Sequence, residues 1–180
     1  MKKYNKVVLK KQDPSSKLYF SSERKYLLVK LDKKLIFDIL HIGSTAIPGM
    51  KGKGIIDIYL IAKNKGDVPK LLEQIDSNTN YIRPKVGGSK ERIFQRRERK
   101  IKGKKVIFHL HVSWRNANEW KDDILFLKYL LKHPEAAKRY EELKYIWAKR
   151  ANYIKEKYRK SKHRFVNPIL KKVKKEIKRI

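Results

Sequence analysis

His41-Ile-Gly-Ser-Thr-Ala-Ile-Pro-Gly49, followed by Lys53-Gly-Ile-Ile-Asp57-Ile58, reads as a strand, a tight turn and a second strand that carries one acid. Phe37 to Ile42 is an apolar run rich in isoleucine, as a buried strand would be, and Gly43-Ser44 ends it where backbone amides and a hydroxyl can face an anion. Asp57 interrupts a second apolar run, Ile55 to Ile61. A carboxylate there is costly to bury unless it meets a metal or a hydrogen-bond donor. Side chains alternate along a strand, so Asp57 points away from the face of Ile56 and Ile58. The Asp57 face is expected to line a cleft, with Asp57 at least half-buried opposite Gly43-Ser44 and neutralised by a metal or an arginine.

These residues resemble the GrpB family, which also occurs as the carboxy-terminal domain of some dephospho-CoA kinases and is related to the DNA polymerase beta-like nucleotidyltransferases. The family's usual run is Gly-Ser-Thr-Ala-Val-Pro-Gly-Leu, two small residues, Lys-Pro and Ile-Ile-Asp-Ile. Gly43 to Gly49, Lys53 and Ile55 to Ile58 fit it, with Gly54 in place of the proline and Lys51-Gly52 as the pair. The resemblance continues through His109-Leu-His111-Val112, Phe126, Tyr129-Leu130, His133-Pro134-Glu135, Tyr140, Leu143-Lys144, Tyr158, Lys162 and Phe165, and so covers nearly the whole chain. Leu127-Lys128 departs from it, standing where the family usually has Arg-Asp. The resemblance implies an α/β (α+β) nucleotidyltransferase fold, a small mixed sheet with helices and a carboxy-terminal helical segment.

At 180 residues, with 41% hydrophobic and 11% aromatic composition, the chain can bury a core and is too apolar for a disordered polymer. One domain over residues 1–180 is expected, a sheet-bearing core at 1–115 and a helical part at 116–180. The absence of cysteine excludes disulfides and cysteine-ligated metals. No apolar run approaches the roughly eighteen residues of a membrane span, and the amino terminus lacks the apolar stretch of a signal peptide. A cytoplasmic protein without a membrane partner is the expectation.

Charge is the second strong feature: 48 Lys and Arg against 18 acids give +30, far beyond what solubility requires. A polyanion is the natural partner. The excess is general but weighted to the tail, where Lys144 to Arg179 hold fifteen basic residues against two glutamates. A compositional bias towards lysine and isoleucine is the alternative account of the excess as a whole; the carboxy-terminal concentration is read as pointing to RNA or nucleotide phosphate. Lys155, Lys157, Arg159, Lys160, Lys162 and Arg164 form the candidate nucleic-acid surface, with Tyr153 and Tyr158 as stacking rings.

Patterning predicts a short strand at Lys6 to Lys10, a helix from Ser16 to Leu31, two central strands, a helix from Asp67 to Ile75 and a strand from Tyr81 to Lys85. A hairpin follows, Glu91 to Lys100 and Lys104 to Ser113, with Gly103 at its turn. Helices are predicted at Glu119 to Leu131, Pro134 to about Tyr158 and Ser161 to Ile177, with Pro134 in the first turn of its helix. Trp114, Trp120 and Trp147 read as core residues.

His109 and His111 lie two apart on one strand and project from the same face. A His-x-His pair is a metal signal, zinc being one such ion, and Asp57 or Glu91 can complete a mixed nitrogen and oxygen site. The superfamily resemblance implies a Gly-Ser turn for a triphosphate, two acids spaced Asp-x-Asp and a third on a later strand. Gly43-Ser44 and Asp57 match its first parts; Gly43, Ser44 and Thr45, with Lys53 and Arg92 read from the chain itself, make the candidate nucleotide-binding set, Asp57 is the candidate catalytic residue, and Asp57, His109 and His111 are the candidate metal ligands. The resemblance implies a divalent ion, magnesium or manganese rather than zinc, and a nucleoside triphosphate. The second acid is missing, since Tyr59 stands two residues after Asp57, and no third aspartate lies in the strand of His109 and His111. Arg96, Arg97 and Arg99 flank the expected cleft as phosphate clamps or a solvated face. Two readings stay open: an enzyme moving a nucleoside monophosphate to an acceptor, and a noncatalytic module that binds RNA or nucleotide.

Overall fold

The computed structural model describes residues 7–85 and 87–177; the side chains of residues 155, 156, 176 and 177 lie outside that description. The stretch from His41 to Ile58 spans the end of β1 (Ile36–Ile42), a single 3-10 turn at Ser44–Ala46, and the start of β2 (Ile55–Ala62). Downstream, β3 (Ile93–Ile101) and β4 (Lys104–Trp114) make the hairpin. Its two-residue turn holds Lys102 at φ 48° and Gly103 at φ 75°, the positive values that match the twist of paired strands. The sheet order is β1-β2-β4-β3. β1 runs antiparallel to β2, β3 antiparallel to β4, and the central pair β2 and β4 is parallel. The central strands are therefore flanked on both edges and read as nearly continuous apolar runs.

Strand alternation gives the sheet two faces. Ile56, Ile58 and Leu60 of β2 and Phe108, Leu110 and Val112 of β4 pack under α1 (Ser16–Lys30) and α2 (Asp67–Asn78), against Leu27, Leu71 and Ile75. That layer also buries an ion cluster: Glu23 of α1 is fully buried and accepts from Arg97 at 2.7 Å and Arg99 at 2.9 Å. On the opposite face, Ile42, Tyr59 and Ile61 pack against Trp120 and Ile124 of α3 (Glu119–Lys132). α4 (Pro134–Arg150) and α5 (Lys155–Ile177) complete a third cluster around Phe126, Leu130, Tyr140, Trp147, Tyr158 and Val166. Ile47 and Met50, just after the 3-10 turn, are anchored in it. The turn is thus fixed between sheet and helices. No described helix is long and apolar enough to cross a membrane.

Several expectations need correction. Tyr81 to Lys85 is no strand; only Ile82 bridges Arg96, because Pro84 has no amide to donate. Of the strand expected at Lys6 to Lys10, Lys6 lies outside the described residues and only Lys10 bridges, to Gly52. The helix from Pro134 does not reach Tyr158. It ends at Arg150, Asn152 and Tyr153 take positive φ of 45° and 61°, and a new helix starts at Lys155 rather than Ser161. Tyr153 donates its amide back to Ala148 at 2.7 Å, satisfying a carbonyl at the helix end. Arg97 and Arg99 do not form a solvated face: strand alternation sends Arg97 into the α1 layer, and Glu23 gathers both.

Candidate functional site

The parallel register of β2 and β4 creates the site. Asp57 is opposite His109 and Tyr59 is opposite His111, so four side chains of one parity share the face that α3 only partly covers. The Asp57 Oδ1 lies 3.2 Å from His109 Nδ1 and 3.5 Å from His111 Nε2. The ligating atoms of all three residues lie within 4.8 Å of one another, close enough to share one ion. Phe94 of β3 holds the imidazoles in place, edge-on to His109 at 4.8 Å between centroids and tilted against His111 at 5.5 Å. Burial pushes the Asp57 carboxyl up, but hydrogen bonds and charge from His109 and His111 outweigh it and hold the group far below the ordinary carboxylate range. Asp57 is 27% exposed, and its partners among the described side chains are histidines, not an arginine.

Gly43 is the contact between turn and acid. It sits at φ 74° and ψ −169°, a region open essentially to glycine alone, and a Cβ placed on it would lie 2.7 Å from Asp57 Oδ2. Gly52 serves Ser44 in the same way: its backbone pairs with Lys10 in both directions, and a Cβ there would collide with the Ser44 hydroxyl. Thr45 is buried and turned inward, donating to the Ile55 carbonyl at 3.0 Å and lying 3.1 Å from His41 Nε2. His41 stacks on Phe20 of α1, and burial lowers its pKa to about 4 against the opposing charge of Asp57. Thr45 and His41 therefore secure the turn from behind.

The remaining expected residues divide. Lys53 lies 5.5 Å from the Tyr158 ring, beside the turn. Arg92 pairs with Glu119 at 3.0 Å and Asp123 at 3.6 Å and donates to the Tyr59 hydroxyl at 3.4 Å. Tyr59 in turn donates to Asp123 at 2.9 Å, so the position where the superfamily pattern calls for a second acid ties α3 to the sheet. Glu91 supplies no metal ligand. Its carboxylate accepts from the amides of Asn118 and Glu119 and caps α3. On α5, Lys157, Arg159, Lys160 and Arg164 are exposed, while the Lys155 side chain lies outside the description. Lys162 is partly buried and within electrostatic reach of Asp57, Asp123, Tyr140 and Tyr158. Tyr158 is only 6% exposed, so it is no stacking platform. Lys144 has a place near the site that the sequence did not assign to it. It is 3% exposed on α4 and donates to the Lys51 carbonyl. The signal that could have found it is a lysine at an otherwise apolar helical position.

A four-stranded mixed sheet with helices on both faces, and a glycine-serine turn set against one acid, define a mixed α/β protein of nucleotidyltransferase-like architecture. The GrpB protein family model matches residues 6–172, and the chain belongs to that family. It is 30% identical over 165 residues to the glutamate-rich protein GrpB of Alkalihalophilus pseudofirmus, covering 91% of this chain and 94% of that one. It is 32% identical over 125 residues to UPF0157 protein YqkA of Bacillus subtilis, a match of 69% of this chain that spans only 35% of the longer relative. Among solved structures, the crystal structure of conserved protein GrpB from Enterococcus faecalis superposes with a TM-score of 0.76 at 26% identity, covering 94% of this chain and 99% of that chain.

Proposed function

We propose that the site binds a nucleoside triphosphate with one divalent ion and transfers a nucleoside monophosphate to an acceptor hydroxyl, whose oxygen bonds to the α-phosphorus as the bond to the β-phosphate breaks, pyrophosphate leaving and the hydroxyl proton passing to solvent. The observation that carries this reading is the convergence of Asp57, His109 and His111 within 4.8 Å, directly against the Gly43-Ser44 turn. The donor set fits a divalent ion of the first transition row. Two imidazoles and a carboxylate suit manganese or zinc, whereas magnesium takes oxygen ligands and keeps its waters. Manganese, which takes carboxylate and phosphate oxygens as well as imidazole, is the ion we prefer; Asp57 Oδ1, His109 Nδ1 and His111 Nε2 would hold it, and when bound it would neutralise charge on the α-phosphate of the transferring nucleotidyl group. One ion is assigned rather than two, because Tyr59 is committed to Asp123 and Arg92. Ser44 and Lys53 are the phosphate contacts, and Arg92 holds the α3 edge of the site.

Calorimetric titration of the protein with ATP and manganese tests this. Micromolar binding is expected, lost in Asp57→Asn and at least tenfold weaker in Ser44→Ala; equal binding by wild type and Asp57→Asn would overturn it. A second reading, RNA binding along α5, is favoured by the outward display of Lys157, Arg159, Lys160 and Arg164. It predicts an affinity that falls steeply with salt and is indifferent to Asp57.

A further inference from the structure

Three lysines from three separate elements gather beside the Asp57 site. Lys53 comes from the loop before β2, Lys144 from α4 and Lys162 from α5. Two tyrosine rings form the floor between them: Lys53 lies 5.5 Å from the Tyr158 centroid and Lys144 lies 5.0 Å from that of Tyr140. Trp147 joins the rings, 6.1 Å from Tyr140 and 6.4 Å from Tyr158. The cations feel each other: burial, with the charges of Lys162 and Lys53, lowers Lys144 to about 8 against the pull of Glu141. Lys162 moves the other way, held above the ordinary lysine value first by Tyr140, against burial, with Asp123, Tyr158 and Asp57 adding to it.

The acids nearby are already engaged. Glu141 binds Lys51 through both its amide, at 2.6 Å, and its ammonium, at 3.4 Å. Asp123 is shared by Tyr59 and Arg92, and Asp57 by the two histidines. Among the described residues no carboxylate is in ion-pair contact with Lys144 or Lys162. Burial and the charges of Lys162 and Lys53 disfavour the ammonium of Lys144, which no described carboxylate contacts, and a multivalent anion seated among the three lysines relieves that repulsion.

We propose that Lys53, Lys144 and Lys162 form a polyphosphate subsite that seats the phosphate chain of the nucleotide on the helical side of the Asp57 site. The inference rests on the nucleotide reading and assigns it a direction, with the phosphate tail running from Gly43-Ser44 towards α4 and α5. It also gives Lys162 a role distinct from the outward lysines of its helix.

Inorganic tripolyphosphate in the presence of EDTA separates the subsite from the metal. The intact chain is titrated calorimetrically as wild type, Lys162→Gln, Asp57→Asn and Lys157→Gln, each checked for folding by circular dichroism. Wild type and Lys157→Gln are expected to bind alike, and Asp57→Asn, which removes a negative charge within electrostatic reach of Lys162, at least as tightly. Lys162→Gln should bind about tenfold more weakly or worse, the effect of one charge-assisted contact. If Lys162→Gln misfolds, protection of Lys162 from an amine-reactive label by tripolyphosphate, read by mass spectrometry, replaces it. No binding by wild type, affinity unchanged in Lys162→Gln, or no protection overturns the subsite. The outcomes also separate the two proposals: tripolyphosphate binding that needs Lys162, alongside manganese-ATP binding that ignores Asp57, leaves the subsite standing and removes the metal-nucleotide reading.

Discussion

Replacing Gly43 by alanine tests whether the turn and Asp57 form one unit. The residue lies at φ 74° and ψ −169°, where a side chain costs about 1–3 kcal/mol in backbone strain. The added Cβ would stand 2.7 Å from Asp57 Oδ2 and 3.3 Å from its Cβ, so the carboxylate has to swing away from His109 and His111. Breaking its hydrogen bonds to them adds about 1 kcal/mol. A total of roughly 2–4 kcal/mol corresponds to about 4–16 °C in Tm for a chain of this size. Gly54 is the control: its φ is also positive, at 69°, but a Cβ there meets nothing within 4 Å, so Gly54→Ala carries the backbone cost alone. Differential scanning calorimetry of both variants, repeated in an Asp57→Ala background, measures the contact as the coupling between positions 43 and 57. If Gly43→Ala is no more destabilising than Gly54→Ala, or if Asp57→Ala does not recover part of the loss, the turn does not rest on the acid and the site as described is wrong.

Glu23→Gln leaves Arg97, 9% exposed, without its buried anion; a loss of about 3–5 kcal/mol is expected, and a urea-unfolding midpoint within error of wild type would disprove it. Lys144 has a folded pKa of about 8 against an ordinary 10.5, because burial disfavours its charged form. Its contribution to stability is fully present above pH 10.5 and lost as pH falls through 8. Measured against Lys144→Met, wild-type stability should therefore rise by up to about 3 kcal/mol between pH 7 and pH 11; a flat difference contradicts the assignment. For RNA binding, changing Lys157, Arg159, Lys160 and Arg164 together to glutamine should flatten the plot of log affinity against log salt by about 0.7 for each single-strand phosphate that these side chains no longer neutralise. An unaltered slope in filter binding would place the RNA surface elsewhere.

Local chemistry made the two halves of the site legible. The apolar run broken at Gly43-Ser44 forms β1 and its turn, and alternation alone puts Asp57 on the face opposite Ile56 and Ile58, and His109 and His111 on a common face. Gly103 marks the hairpin because a two-residue turn needs positive φ. Those inferences reach only along one strand or one turn.

The joining of the halves belongs to the tertiary structure. Which strand lies beside β2, and in what register, sets Asp57 against His109, and a shift of one residue would turn the histidines to the other face. Glu23 collects Arg97 and Arg99 across 74 and 76 residues, so no local pattern showed that these arginines leave the cleft. The break at Asn152 and Tyr153 was half legible: asparagine enters the left-handed region more readily than most residues and can end a helix, whereas nothing local marks Tyr153 for a positive φ. Beyond that break, Lys162 is partly buried and within electrostatic reach of Asp57, while Lys160, His163 and Arg164 of the same helix are exposed. Sequence periodicity determined which side chains share a face of one element; the pairing of distant elements, which depends on burial and hydrogen bonding summed over the whole core, decided which faces meet.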